Sequence, residues 1–222
     1  MILSAAKIRD RMNDPYPRKL VVSPVLDATQ QLQSGEGSMD LRLGQEFMLP
    51  DPAVLGCLDA LDEAQAEREL TGYLRAVHVS LGGTFVLHPR QFALAATLEY
   101  LRLPTDISAH VMGRSRWARV GLIIAMATYV HPGYAGCLTL ELQNLGEAPI
   151  QLSPGFPIAQ LLFEEVKPPH TQQPGQLACA TGPEFWSLLS NSDLAKLTDL
   201  RRGHDTLTGD RGWTDHHAKK SD

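Results

Sequence analysis

The residues best suited to chemistry lie between Gly113 and Glu164. Glu141 is a lone carboxylate in an apolar strand-like run. Leu140 and Leu142 must face the opposite side of that strand, so Glu141 shares its face with the polar Thr139 and Gln143. Two readings compete. Glu141 is an exposed position or a structural ion-pair member, or it is a general base in a cleft, where burial raises a carboxylate towards the working range. Upstream, Gly113 precedes Arg114, Ser115, Arg116 and Arg119. A hydroxyl between two guanidiniums suits phosphate oxygens; the competing reading is a solvated basic turn. Arg119 either points into the same site or pairs with Glu141. His131 and His88, each before a proline, are ligand contacts or merely solvated or structural turn residues. Tyr134 stacks on a sugar or covers the core.

The elements that must position these groups are short strands cut by turns. His131-Pro132-Gly133 and Ser153-Pro154-Gly155 are turns, and the last apolar strand ends at Phe163. Upstream, Leu3 to Met12 reads as a helix capped by Ser4 and ended by Pro15 and Pro17. Val21 to Leu26 reads as a strand, and Thr29 to Gly37 as a loop. Ser38 to Phe47 reads as a strand with Asp40 and Arg42 opposite Leu41 and Leu43. Residues 58–70 are rich in Ala, Glu and Leu and suggest a helical insertion. Turns are expected at Gly82-Gly83, His88-Pro89 and Leu103 to Asp106. Strands are expected at Thr84 to Leu87, Phe92 to Tyr100 and Ile107 to Met112. Lys167 to Gly182 reads as a mobile surface segment, Pro183 to Leu200 as a helix, and Gly203 to Asp222 as a disordered tail. The pattern is that of a mainly β domain over 1–166, followed by a C-terminal appendage over 167–222.

The 222 residues are enough to bury a core without staples, and a net charge of −5 argues against a general nucleic-acid surface. A local cationic patch for a phosphorylated ligand remains compatible with that charge. Three cysteines (Cys57, Cys137 and Cys179) form no CxxC pair, and eight histidines form no HxxxH or HExxH spacing. No disulfide framework and no metal site are therefore expected. Cys137 reads as a small buried residue. The cysteine usage suits a reducing cytoplasm. The N-terminus lacks the apolar core of a signal peptide, and no run reaches membrane-spanning length.

Several motifs, in order, resemble the dCTP deaminase branch of the dUTPase-like superfamily. Gly113 to Leu122 is similar to its GRSS-x-ARxGL. Val130 to Gly136, with Leu140-Glu141, is similar to IDPG(F/W)xGxxxLE. Asn144 to Glu164 is similar to its N-x-x-x-x-P(I/L)xLxPGMxIxQLxFE. Upstream, Ser38 to Gly44, Leu87-His88-Pro89 and Phe92 to Pro104 also match. The resemblance implies a dUTPase-like β-barrel, a jelly-roll-like β-clip domain with short flanking helices. It also implies a homotrimer with active sites shared between subunits, and a deoxynucleotide substrate (dCTP, or dUTP) carrying Mg²⁺ on its phosphates.

By the same resemblance, Glu141 activates water for attack at C4 of cytosine, with Ser115 and Arg119 beside the base and the water. Arg114, Arg116, Thr128, His131, Tyr134 and Gln160 are the implied substrate contacts. Arg114 would bind phosphate, and Tyr134 would pack against the deoxyribose. The family deaminates without zinc, in keeping with the missing zinc-deaminase signature. The chain departs from the family pattern in three places. His131 replaces the aspartate before Pro-Gly, and Ala125 to Thr128 replaces HxTA. The lid frame from Gly175 to Pro183 lacks its lysine, tyrosine and glutamine. A dCTP deaminase-like enzyme is the first expectation. The alternatives are a dUTP diphosphohydrolase or bifunctional enzyme, and a non-catalytic nucleotide-binding regulatory trimer.

Overall fold

The computed structural model describes residues 1–32, 37–51, 72–124, 127–167 and 181–183. The chain forms two compact units: Met1–Asp51 with Leu74–Phe185, and Pro52–Tyr73 with Trp186–Asp222. Of the second, only Gly72 and Tyr73 are among the described residues. The expected insertion at 58–70, most of the lid frame, the C-terminal helix and the tail lie outside them, as do Cys57 and Cys179.

Helix α1 (Ala5–Asn13) forms where expected, with the Ser4 hydroxyl accepting the Lys7 N–H at 3.4 Å. Ile8 is wholly buried. Arg11 is buried too, and its guanidinium donates to both Asp106 oxygens, at 2.9 and 2.6 Å, and to the Arg18 carbonyl at 3.0 Å. A forked donor on a planar carboxylate fixes the helix in position as well as in register. Strand β1 (Val21–Ser23) is shorter than expected, because Pro24 follows it and can donate no ladder hydrogen bond. The segment read as a loop from Thr29 begins with a single helical turn, α2 (Ala28–Gln31). Asp27 caps it, Oδ1 accepting the N–H groups of Thr29 at 2.9 Å and Gln30 at 3.2 Å. A cap without an apolar period supports one turn and no more.

The remaining elements are β2 (Ser38–Pro50), β3 (Leu74–His78), β4 (Phe85–Leu87), β5 (Phe92–Arg102), β6 (Ile107–Gly113), α3 (Ser115–Ala118), β7 (Leu122–Ile124), β8 (Tyr129–Val130), β9 (Ala135–Asn144), β10 (Ile150–Leu152) and β11 (Pro157–Glu165). Nine strands form one antiparallel sheet. Its path is β7-β9-β5-β2-β11-β6-β8, with β1 on β5 and β3 on β2; β10 pairs separately with β4. The sheet curls into a half-barrel. Register shifts between Leu43 and Phe47, and between Ala96 and Tyr100, let β2 and β5 bend and change partners along their length. Phe47, Phe163, Leu87 and Leu140 are wholly buried, and the rings of Phe47 and Phe85 stack 4.2 Å apart.

Candidate active site

The expected cationic turn is a one-turn helix. The Trp117 and Ala118 N–H groups donate to the Arg114 carbonyl at 3.0 and 3.2 Å. The Trp117 indole N–H reaches the Pro157 carbonyl at 3.0 Å, and its ring packs against the core, so this one side chain anchors the flanking arginines to β11. Gly121 ends the segment at φ +88°; a Cβ there would lie 2.5 Å from the Gly146 nitrogen. That close approach lets the Leu145 N–H reach the Gly121 carbonyl at 2.8 Å. It explains why the motif needs glycine at this position.

Arg114 Nη1 donates to Asp40 Oδ2, and Gln160 Nε2 donates to Asp40 Oδ1 at 3.1 Å. Both partners of the Arg114–Asp40 pair are largely buried. This joins β2, β11 and the start of α3 at the wall of a cleft of about 360 Å³, lined by Asp27, Gln30, Gln31, Asp40, Arg42, Arg114, Arg116, Gly155 and Pro157. Three guanidiniums facing two carboxylates there suit a multiply charged anion. Arg116 and Ser115 are exposed, as is Arg119 at the C-terminal end of α3.

Asp40 and Arg42 alternate with Leu41 and Leu43 as the pattern required. Nevertheless they are only 8% exposed, because Arg114 and Gln160 partner the Asp40 carboxylate and Glu99 of β5 partners Arg42. Arg42 is held by Glu99: its backbone N–H donates to Oε2 at 2.8 Å and its Nε to Oε1 at 2.9 Å. Gln31 Nε2 donates to the same Oε1 at 3.0 Å and to the Asp40 carbonyl at 3.3 Å. Burial pushes the Glu99 carboxyl above its ordinary value, while the hydrogen bonds from Arg42 pull it back. The β5 bulge aims Glu99 into this position. The Thr97 hydroxyl donates to the Glu99 carbonyl at 2.8 Å and accepts the Leu138 N–H at 2.9 Å.

Glu141 sits on β9 opposite Leu94 of β5. Thr139, Glu141 and Gln143 are all half-buried, while Leu138, Leu140 and Leu142 are buried, as the alternation required. Glu141 Oε2 accepts the Ala127 N–H at 3.2 Å. Thr128 is exposed; its carbonyl accepts the Val111 N–H at 2.7 Å. The expected turn forms at His131, whose carbonyl accepts the Tyr134 N–H at 3.2 Å, with Gly133 at φ +81°. The exposed His131 ring meets Tyr129 edge-on at 4.7 Å. The Tyr134 hydroxyl donates to the Cys137 carbonyl at 2.6 Å, and its ring packs against the core. Cys137 is buried, which pushes its thiol up.

The structure thus gathers Arg114, Arg116 and Gln160 around the Asp40 cleft. Glu141, His131 and Tyr134 lie on β9 and the turn before it, and none is among the residues lining that cleft. The sequence places Asp40 and Arg42 on the polar face of their strand but does not mark them, or Gln31 and Glu99, as site residues. The available signal was Glu99, a second lone carboxylate in an apolar strand. Among the described residues no group of His, Cys, Asp and Glu is arranged to hold a metal ion, and no helix is long and apolar enough to cross a membrane.

Comparison with known proteins extends these observations. A dCTP deaminase from Natronomonas pharaonis is 43% identical over 170 residues, covering 76% of this chain and 83% of that protein. A dUMP-forming dCTP deaminase from Methanobrevibacter smithii is 37% identical over 169 residues, covering 76% and 82%. The crystal structure of the 2′-deoxycytidine 5′-triphosphate deaminase from Agrobacterium tumefaciens superposes with a TM-score of 0.52 at 26% identity. That match covers 73% of this chain and spans 46% of the other. A family model described as dCTP deaminase-like matches residues 2–166, which include both the Asp40 cleft and the Glu141 strand. The chain has the mainly β fold that its motifs imply, and it belongs to the dCTP deaminase-like family.

Proposed function

We propose that this protein deaminates dCTP: dCTP and water give dUTP and ammonia. One observation carries the reading, namely that the family match spans both the cationic cleft and Glu141. Glu141 is assigned as general base. It takes a proton from water, the hydroxide adds to C4 of cytosine, and the proton passes to the 4-amino group, which leaves as ammonia. C4 keeps the oxygen as the carbonyl of uracil, and the remaining hydroxyl proton ends on N3. The place of Glu141 on a half-buried polar row, with the Ala127 amide orienting one oxygen, supports this role, since a base must be held within reach of the water it activates. Ser115 and Arg119 are assigned beside the base and the water. Arg114, Arg116 and Gln160, around the Asp40 cleft, are assigned to the triphosphate, with Mg²⁺ as part of the substrate. Thr128, His131 and Tyr134 are assigned to the nucleoside. No zinc-bound hydroxide is invoked, because the sequence lacks the zinc-deaminase spacing.

Glu141 and the cleft stand on different strands, and Ser115, Arg116 and Arg119 are exposed. Both observations favour a site completed between subunits of a homotrimer. Residues 1–166 are assigned as the catalytic domain and 167–222 as the lid-bearing segment, acting in the cytoplasm.

A second reading, in which dUTP is also hydrolysed, is favoured by relatives named as dUMP-forming. His131 opposes it. An imidazole stands where the family motif carries the aspartate that orients water for phosphate cleavage. The test is incubation with each deoxynucleotide and Mg²⁺, followed by chromatography of base and phosphate products. dUTP without pyrophosphate is expected from dCTP. No uracil nucleotide from dCTP would overturn the deaminase reading, and brisk pyrophosphate release from dUTP would promote the second.

A further inference from the structure

We infer that Gln31 and Glu99 are positioning residues for the anion cleft, acting through β2 on Arg114. The inference deepens the reading of that cleft as the triphosphate site. Gln31 stitches three pieces of chain together. Its Oε1 accepts the N–H groups of Leu26 at 3.0 Å and Asp27 at 3.4 Å; its Nε2 donates to Glu99 and to the Asp40 carbonyl. Gln31 is 5% exposed and Glu99 wholly buried, so neither geometry is diluted by competing water. Glu99 in turn binds both the backbone and the side chain of Arg42. The stretch Asp40–Arg42 is thereby clamped from beneath, through the Asp40 carbonyl and the Arg42 amide. Asp40 then presents one carboxylate oxygen to Arg114 and the other to Gln160.

The purpose of such a clamp follows from the charges. Arg114 and Arg116 project from a single helical turn, and a long cationic side chain loses rotamer freedom when it binds. Holding Arg114 on a fixed carboxylate removes that loss before the ligand arrives. Arg42 adds a second fixed cation in the cleft lining. Its Nη2 is buried without a hydrogen-bond partner among the described residues, so the guanidinium is held by Glu99 at one side and remains unsatisfied at the other. A group kept in that condition is better explained by its field in the cleft than by stability, since an unpaired buried polar atom is costly.

The experiment is calorimetric binding of inorganic tripolyphosphate and of dCTP to the full chain. Wild type, Gln31→Leu, Arg114→Ala and the double variant are compared, each checked for wild-type circular dichroism. Gln31→Leu keeps the side chain's bulk but removes its hydrogen bonds. It should weaken tripolyphosphate about threefold to tenfold. In the Arg114→Ala background the same change should have almost no effect, because the residue it positions is gone. Under turnover, KM for dCTP should rise by the same factor while kcat stays near wild type. Wild-type affinity for both anions in Gln31→Leu, or an equal loss in both backgrounds, overturns the inference and leaves a purely structural network. So does a wild-type chain that binds neither anion. Coupled loss of tripolyphosphate binding without any deamination of dCTP supports the positioning role while rejecting the deaminase reading. Glu99→Gln, where it folds, should repeat the effect of Gln31→Leu more strongly.

Discussion

Two lone carboxylates in apolar strands meet opposite fates. Glu99 is wholly buried, with its oxygens bonded by Arg42 and Gln31; Glu141 is half-buried on a polar row, with a backbone amide at one oxygen. A wholly buried carboxylate with both oxygens occupied cannot reach a substrate's water, so Glu99 is no candidate base whatever its proton affinity. Glu141→Gln should therefore lower deamination about 10²–10⁴-fold while leaving nucleotide binding intact. Retention of near wild-type turnover would remove Glu141 from the chemistry. Arg114→Ala should act differently, weakening dCTP binding and flattening its salt dependence, because a fixed cation is lost and Asp40 is left facing the anion. Titration of dCTP into the two variants at low and high salt separates these roles. His131→Asp tests the imidazole: pyrophosphate release from dUTP should stay low in wild type and rise in the variant.

At the level of elements, α1 and the turn before β6 are joined by Arg11 and Asp106. The hydrogen bonds from Arg11 hold the Asp106 carboxyl below its ordinary value. A depressed folded value contributes stability above the unfolded value, and that contribution disappears as the pH falls through the folded one. Asp106→Asn should therefore cost about 2 kcal/mol at neutral pH. Wild type and variant should converge at acid pH, below the ordinary carboxylate range. Urea melts across that interval measure the gap, and a gap independent of pH would assign the loss to shape instead of charge. The Gly121 turn makes a sharper demand. Gly121→Ala has no room beside Gly146 and must hold φ +88°, so thermal melts should show a loss of more than about 1 kcal/mol. A neutral result would mean that the turn at 145–146 yields freely.

For the whole molecule, the family resemblance sets the expectation of a closed homotrimer, and a cleft whose lining does not include Glu141 is compatible with it. Light scattering should give about three times the 24.4 kDa chain mass. A stable monomer with full activity would require both halves of the site to meet within one chain. The sequence by itself determined the strand alternation on β9, the Pro-Gly turns, the helix at Ser4 and the family motifs. Each is legible because it depends on neighbours a few residues away: on side-chain alternation, on a cap, or on a φ that only glycine takes freely. The sequence did not reveal the helical turn at Ala28–Gln31, because its one cap lacks an apolar period to reinforce it. Tertiary structure alone decided which carboxylate is wholly buried and which is half-buried. It brought Asp40 to Arg114 across 74 residues and Gln31 to Glu99 across 68. Those encounters follow from the order of strands in the curled sheet, with β2 between β5 and β11 and both β2 and β5 changing partners at their bulges. No local periodicity encodes that order, since it is chosen by which faces bury together.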